Sequence, residues 1–243
     1  MAMNNEIRSV AEFVLSFVFY KYKIIDKEPE LELPAESKIN DFISDLKNIV
    51  WVESHFAMAE WDQFLKNNCS RMTSSRKLYA TYVIFACYLK NEENPIGFRC
   101  FLQILTTVAS FAIYASQMGF SRSTDVSAEI IEAFYGKEIE KKINDQGGWK
   151  DFSEFVKHRP SLNTLEIFND EDSIPRNPSK TAFELNVNFQ RDYKINGHVL
   201  VDISEDTVEN DLRTNCLVKT IKSLTQETTE LITASKKPEE VQE

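Results

Sequence analysis

Glycine and proline are scarce in this chain, at 6 and 7 of 243 residues. That scarcity excludes collagen-like and low-complexity classes, and it argues against an all-β chain rich in Gly/Pro turns. Cysteine is scarce as well. Cys69, Cys87, Cys100 and Cys216 show no C-x-x-C spacing, so neither a zinc knuckle nor a thioredoxin-type redox site is indicated. Cys87 and Cys100 lie in apolar runs and read as buried thiols in a reducing compartment. The three histidines, His55, His158 and His198, are scattered without metal-ligand spacing. No G-x-S-x-G, P-loop or dinucleotide fingerprint occurs. Carboxylates are plentiful, but on helix faces they read as solvated surface. Nothing here points to catalysis, a bound metal or a cofactor.

Positive charge is in deficit. The chain carries 28 basic and 38 acidic side chains, net −10, which is not the balance of a nucleic-acid-binding surface. Residues 161–243 hold 9 of those basic and 16 of those acidic groups, net −7, leaving −3 for residues 1–160. Long hydrophobic runs are missing too. The apolar stretch 10–20 is interrupted by Glu12 and followed by no small-residue cleavage site, unlike a signal peptide. Residues 100–115 contain no charge, yet they fall short of the ~20 residues that span a bilayer, and Gln103, Thr106, Thr107 and Ser110 dilute them. A buried core helix is the reading. The charged end, Lys236-Lys237-Pro238-Glu239-Glu240, does not suit a tail anchor.

What the chain does have is helical periodicity. In 5–23 the residues Ile7, Val10, Ala11, Val14, Leu15, Phe17 and Val18 fall on one broad face, with Asn4 or Asn5 as the expected cap. An acidic, Pro-containing loop is expected over 26–37. A second helical run starts near Ser37 and continues through Phe56, Trp61 and Leu65 as one helix or two, before a polar turn at 69–75. A third helix covers 76–89, and Pro95 disfavours helix at Asn94. Residues 97–117 are apolar on nearly every face and belong at the centre of a bundle, with Gly119 placed to end the helix. Ser123 or Thr124 is the expected cap of a helix over 125–144. After a turn at 145–148, one or two short helical turns cover 149–157. Residues 1–160 thus read as an all-α bundle of about seven or eight helices around one buried helix.

Residues 161–243 read as a separate acidic extension. A linker is expected over 170–180. Phe183, Leu185, Val187 and Phe189 alternate as in a strand, and Asn196-Gly197 suits a hairpin turn. An amphipathic helix follows over 205–232.

One string carries more information than its periodicity. Gly147-Gly148-Trp149-Lys150-Asp151-Phe152 permits a tight reversal followed by two aromatics on one helix face. It also resembles the second homology motif of the Bcl-2 family of apoptosis regulators, which opens a short helix late in an all-α bundle. Other family motifs have counterparts in the right order. Tyr20-Lys21 near the end of the first helix resembles the fourth motif. Residues 46–51 stand in the place of the third motif (BH3), but Val50 replaces its small residue and Trp51 its aspartate. Asn94-Pro95-Ile96-Gly97-Phe98-Arg99 resembles a loosened first motif, without its tryptophan, at the head of the central helix.

The resemblance covers about residues 5–158 and implies a hydrophobic groove that receives the amphipathic BH3 helix of a pro-apoptotic partner. By resemblance Arg99 would pair with the ligand's aspartate beside Gly97, fixing register. Phe64, Tyr82, Val83, Phe98, Phe101 and Leu102 are the candidate groove residues, each also readable as ordinary core. The resemblance further implies a cytoplasmic protein with peripheral contact at the mitochondrial outer membrane and the capacity for homo- or heterodimers. With no aspartate at Trp51, a survival-type receptor is expected rather than a BH3 donor. Two alternatives stay open: a pro-apoptotic or pore-forming member that uses 97–144 on membranes, and a Bcl-2-fold adaptor without an apoptotic ligand.

Overall fold

The computed structural model describes residues 2–165, apart from Glu32, Ala35 and Pro95, with only the backbone for 2–5. The linker, hairpin and helix expected over 170–232 lie outside the described residues, as does Cys216. Among the described residues the chain is all-helical, with no strand.

Helix α1 (Ala2–Lys21) begins before Asn4 and Asn5, so neither caps it. Its expected apolar face, from Ile7 to Val18, is buried as a whole. A mostly exposed loop follows, and Ser37 Oγ accepts the Ile39 amide to open a 3-10 turn, Lys38–Asp41. Helix α2 (Ile43–Met72) is then one unbroken element. The polar turn expected at 69–75 is a correction. Cys69 and Met72 are buried, so tertiary contacts carry the helix past the polar residues, and only 73–75 turn. Ser75 Oγ accepts the Leu78 amide at 3.1 Å and starts α3 (Arg76–Glu93). Asn94 is extended, as suits a residue before proline.

Helix α4 (Gly97–Gln117) occupies the predicted span, and from Cys100 to Ala115 only Tyr114 is not fully buried. Helices α2, α3 and α5 pack along it, and α1 and α6 touch it as well. Gly119, at φ +87°, closes it: its amide donates to Ser116 and the Phe120 amide to Ala115.

The single helix expected over 125–144 is three pieces. They are α5 (Ser123–Phe134), a π turn (Tyr135–Ile139) and α6 (Glu140–Asp145). Ser123 is the buried first residue of α5 and does not cap it. Helix α7 (Gly148–Lys157) is longer than the one or two turns expected. Gly147 precedes it at φ +98°, and a side chain there would run into the Asp151 carboxyl. The helical body does not stop at 160. A further 3-10 turn, Pro160–Thr164, lies against α2 and buries Ser161.

Gly97 sets how closely α4 approaches α6. A Cβ at this position would stand 2.7 Å from Lys142 Cβ and 2.8 Å from its backbone carbon. Backbone cannot give way as a side-chain tip can. We therefore expect Gly97→Ala to lower stability by roughly 1–3 kcal/mol, measured as a shift in the urea unfolding midpoint.

Candidate functional site

The candidate site is the head of α4 together with the α2 and α3 faces beside it. Phe98 donates its backbone N–H to Gln146 Oε1 at 3.2 Å, so the turn before α7 satisfies an orphan donor of the first α4 turn. Lys142 Nζ donates to Asn91 Oδ1 at 2.7 Å, and Cys100 Sγ reaches the same oxygen at 3.3 Å. Asn94 Nδ2 donates to Gln103 Oε1 and to the Lys90 carbonyl. The α3–α4 corner is thus fixed by side chains from α3, α4 and α6. Arg99 sits half-buried in the first turn of α4, with Phe98 half-buried beside it.

The motif residues lie on the same head. Trp149 stacks on Tyr135 (5.7 Å, 11°) and on Phe42 (5.9 Å, 20°). Phe152 is fully buried, edge-on to Phe42 at 5.4 Å and within 5.7 Å of Phe98 and Phe101. Gly147 and Gly148, both at positive φ, aim α7 so that these two rings reach the cluster. Such offset and edge contacts contribute about 0.5–1.5 kcal/mol each beyond burial.

The structure does not gather the six candidate groove residues into one surface. Phe98 and Phe101 belong to the α7 cluster just described. Phe64 lies some ten residues further along α4, against Phe111 (6.0 Å) and Tyr82 (5.9 Å), or about 15 Å down the helix axis from Phe101. Val83, Phe101 and Leu102 are interior, and Phe64 and Tyr82 nearly so. The α2 and α3 faces that would form the walls of a groove are therefore in contact with each other.

Two polar contacts hold that closure. Tyr82 OH donates to Asn68 Oδ1 at 3.4 Å, a long bond. Lys90, fully buried on α3, donates to Glu60 Oε1 on α2 at 2.6 Å and to Glu93 Oε2 at 3.0 Å. Burial pushes the Glu60 carboxyl above its usual range, and the Lys90 ammonium opposes that shift. Sequence reasoning missed these buried charges, because a carboxylate on a helix face reads as surface. Glu53, with no exposure, is a second such correction.

The thiols of Cys69, Cys87 and Cys100 are free and buried. Burial holds Cys87 far above the usual thiol range and raises Cys100 to about 11. Burial thus disfavours the thiolate, the reactive form, at neutral pH in both. Among the described residues, no group of three or more His, Cys, Asp or Glu side chains is placed to hold a metal ion. Helix α4 is long and apolar enough to cross a membrane by length and composition, but here it is covered by the bundle. Comparison with protein-family models, curated proteins and solved structures finds no match.

His55 contributes a pH dependence. It stacks on Tyr22 at 4.8 Å, lies edge-on to Trp51, and has Nδ1 3.0 Å from the Trp51 carbonyl. Burial lowers its pKa from 6.5 to about 4. The unfolded chain therefore takes up a proton here before the folded one does. Stability is complete above pH 6.5 and is lost progressively as pH falls toward 4, by roughly 3 kcal/mol in all. Urea unfolding at pH 7 and pH 4.5 should show a smaller acid loss in His55→Gln than in the wild type. The difference between the two chains removes the contributions of other titrating groups.

Proposed function

We propose that the chain is a survival-type regulator of cell death of the Bcl-2 kind, sequestering the BH3 helix of a pro-apoptotic partner. The observation that carries this reading is the placement of the Gly147-Gly148-Trp149 motif. It opens α7, whose rings pack around Phe98 and Phe101, beside Arg99 at the head of the apolar α4. An all-α body with one buried apolar helix supports a Bcl-2-like bundle. Trp51, in the place of the BH3 aspartate, is fully buried and over-stacked by Lys21 Nζ at 4.5 Å, which supports the receptor direction over donation.

The receiving groove would open between α2 and α3, with Arg99 meeting the ligand's aspartate. Opening separates Phe64 from Tyr82 and breaks the Lys90–Glu60 pair, so part of the interaction energy goes into the conformational change and affinity falls by the same factor. The closed contact also favours a second reading, a Bcl-2-fold adaptor whose groove no longer opens.

Calorimetric titration of the full chain with a panel of BH3 peptides separates the two. The survival reading expects saturable binding with a Kd of about a micromolar or below, weakened at least about tenfold by Arg99→Glu. If no peptide binds, the groove function is discarded and the adaptor reading stands.

A further inference from the structure

The middle of α2 is enclosed on every side: each residue from Ile49 to Ala57 is buried. Each side has its own cover. Toward α1, Lys21 lies over Trp51 and Tyr22 stacks on His55. Toward α4, Ser110 Oγ donates to the Ser54 carbonyl at 3.0 Å. The third cover is the segment that follows α7. Arg159 donates from Nε at 3.1 Å and from Nη2 at 2.8 Å to Glu53 Oε1, and Ser161 Oγ donates to the same oxygen at 2.7 Å. The Arg159 guanidinium also lies over the Phe155 ring, 5.5 Å from its centre. Thr164 Oγ1 to the Ser161 carbonyl and the Leu162 amide to the Arg159 carbonyl hold the turn itself.

The three covers differ in how they are fastened. Helices α1 and α4 are held by long apolar faces, whereas in the turn only Ser161 is fully buried and Leu162 and Leu165 are half-buried. Three hydrogen bonds from the strap converge on one carboxylate oxygen of a residue with no exposure. A desolvated carboxylate is tolerated only while its charged and hydrogen-bonding partners stay in place. Once the turn lifts, Glu53 recovers water and the outer side of α2 has lost its cover.

We propose that residues 159–165 form a releasable strap across α2, and that lifting it uncovers the Glu53 face of α2 while the rest of the bundle stays folded. The strap is the last part of the described body, immediately before residues 166–243 in sequence. This device does not depend on peptide binding and stands or falls separately from the groove reading.

Hydrogen exchange of the full chain, followed by mass spectrometry, tests it. In Arg159→Met, amides of 49–60 should exchange about tenfold faster or more, while those of α5 and of the α4 interior change by less than about twofold. Arg159→Lys, which keeps the charge and loses the fork, should lie between. Combining Glu53→Gln with Arg159→Met should return part of the α2 protection, because no charge is then stranded. A uniform acceleration across all helices, or no change in α2, overturns the strap. Should Arg159→Met fail to fold, the wild type decides in urea below its unfolding midpoint. Loss of protection at 161–165 and 49–57 ahead of α4 and α5 supports the strap, and loss only with global unfolding overturns it.

Discussion

A helix with eighteen consecutive uncharged residues, 100–117, has no charged side to give to water, and the bundle is arranged around that fact. Helix α4 has nearly every residue from Cys100 to Ala115 buried, so its neighbours must cover it on all sides. Helix α2, thirty residues long, lies along α4 and leads to the turn before α3. Helix α7 is needed because the head of α4, with Phe98 and Phe101, would otherwise be open. The few polar groups of α4 are absorbed locally: Thr106 Oγ1 bonds the Gln103 carbonyl, and Ser110 bonds the Thr106 and Ser54 carbonyls.

Against this apolar centre, the charged ties lie between elements distant in sequence. Glu53 joins α2 to the strap, and Glu60 joins α2 to Lys90 of α3. Glu129 joins α5 to Arg76 of α3 at 3.3 Å and to Arg8 of α1 at 3.7 Å. Burial pushes the Glu129 carboxyl up while Arg76 and Arg8 oppose it. Apolar packing alone tolerates sliding of one helix along another. A buried carboxylate that finds its cation at one register does not, so these ties fix how the helices are set along α4.

Most of the helical order was legible in the sequence, because period-3.6 apolar faces and punctuating residues are local signals. Gly97–Gln117 appears with both ends as read, the second closed at Gly119. Features fixed by tertiary contact were not legible. The run of α2 through 69–72 goes with the burial of Cys69 and Met72, which the polar residues around them did not announce. The candidate site divides in the same way. The motif glycines and the Trp149–Phe152 spacing were readable, and the rings do cluster at the head of α4. The separation of Phe64 from Phe101 was not readable, since it depends on where α2 crosses α4. Nor were Glu53, Glu60 and Lys90, whose burial follows from partners 30 to 108 residues away.

The π turn at Tyr135–Ile139 has its own consequence for the aromatic cap. From Ile131 the buried positions run Ile131, Tyr135, Ile139, Ile143, each four residues on. In a regular α-helix, steps of four drift around the axis by about 40° each, so such a row would spiral away from the core. One widened turn, closing its hydrogen bond a residue later, takes up the excess and realigns the row. The bulge is therefore a phase corrector. It sets the azimuth at which α6 delivers the Gln146–Gly148 turn, and with it the direction from which Trp149 meets Tyr135. Forcing this turn into regular α geometry with every residue kept would swing everything beyond it by about 100°, carrying the tryptophan away from the head of α4.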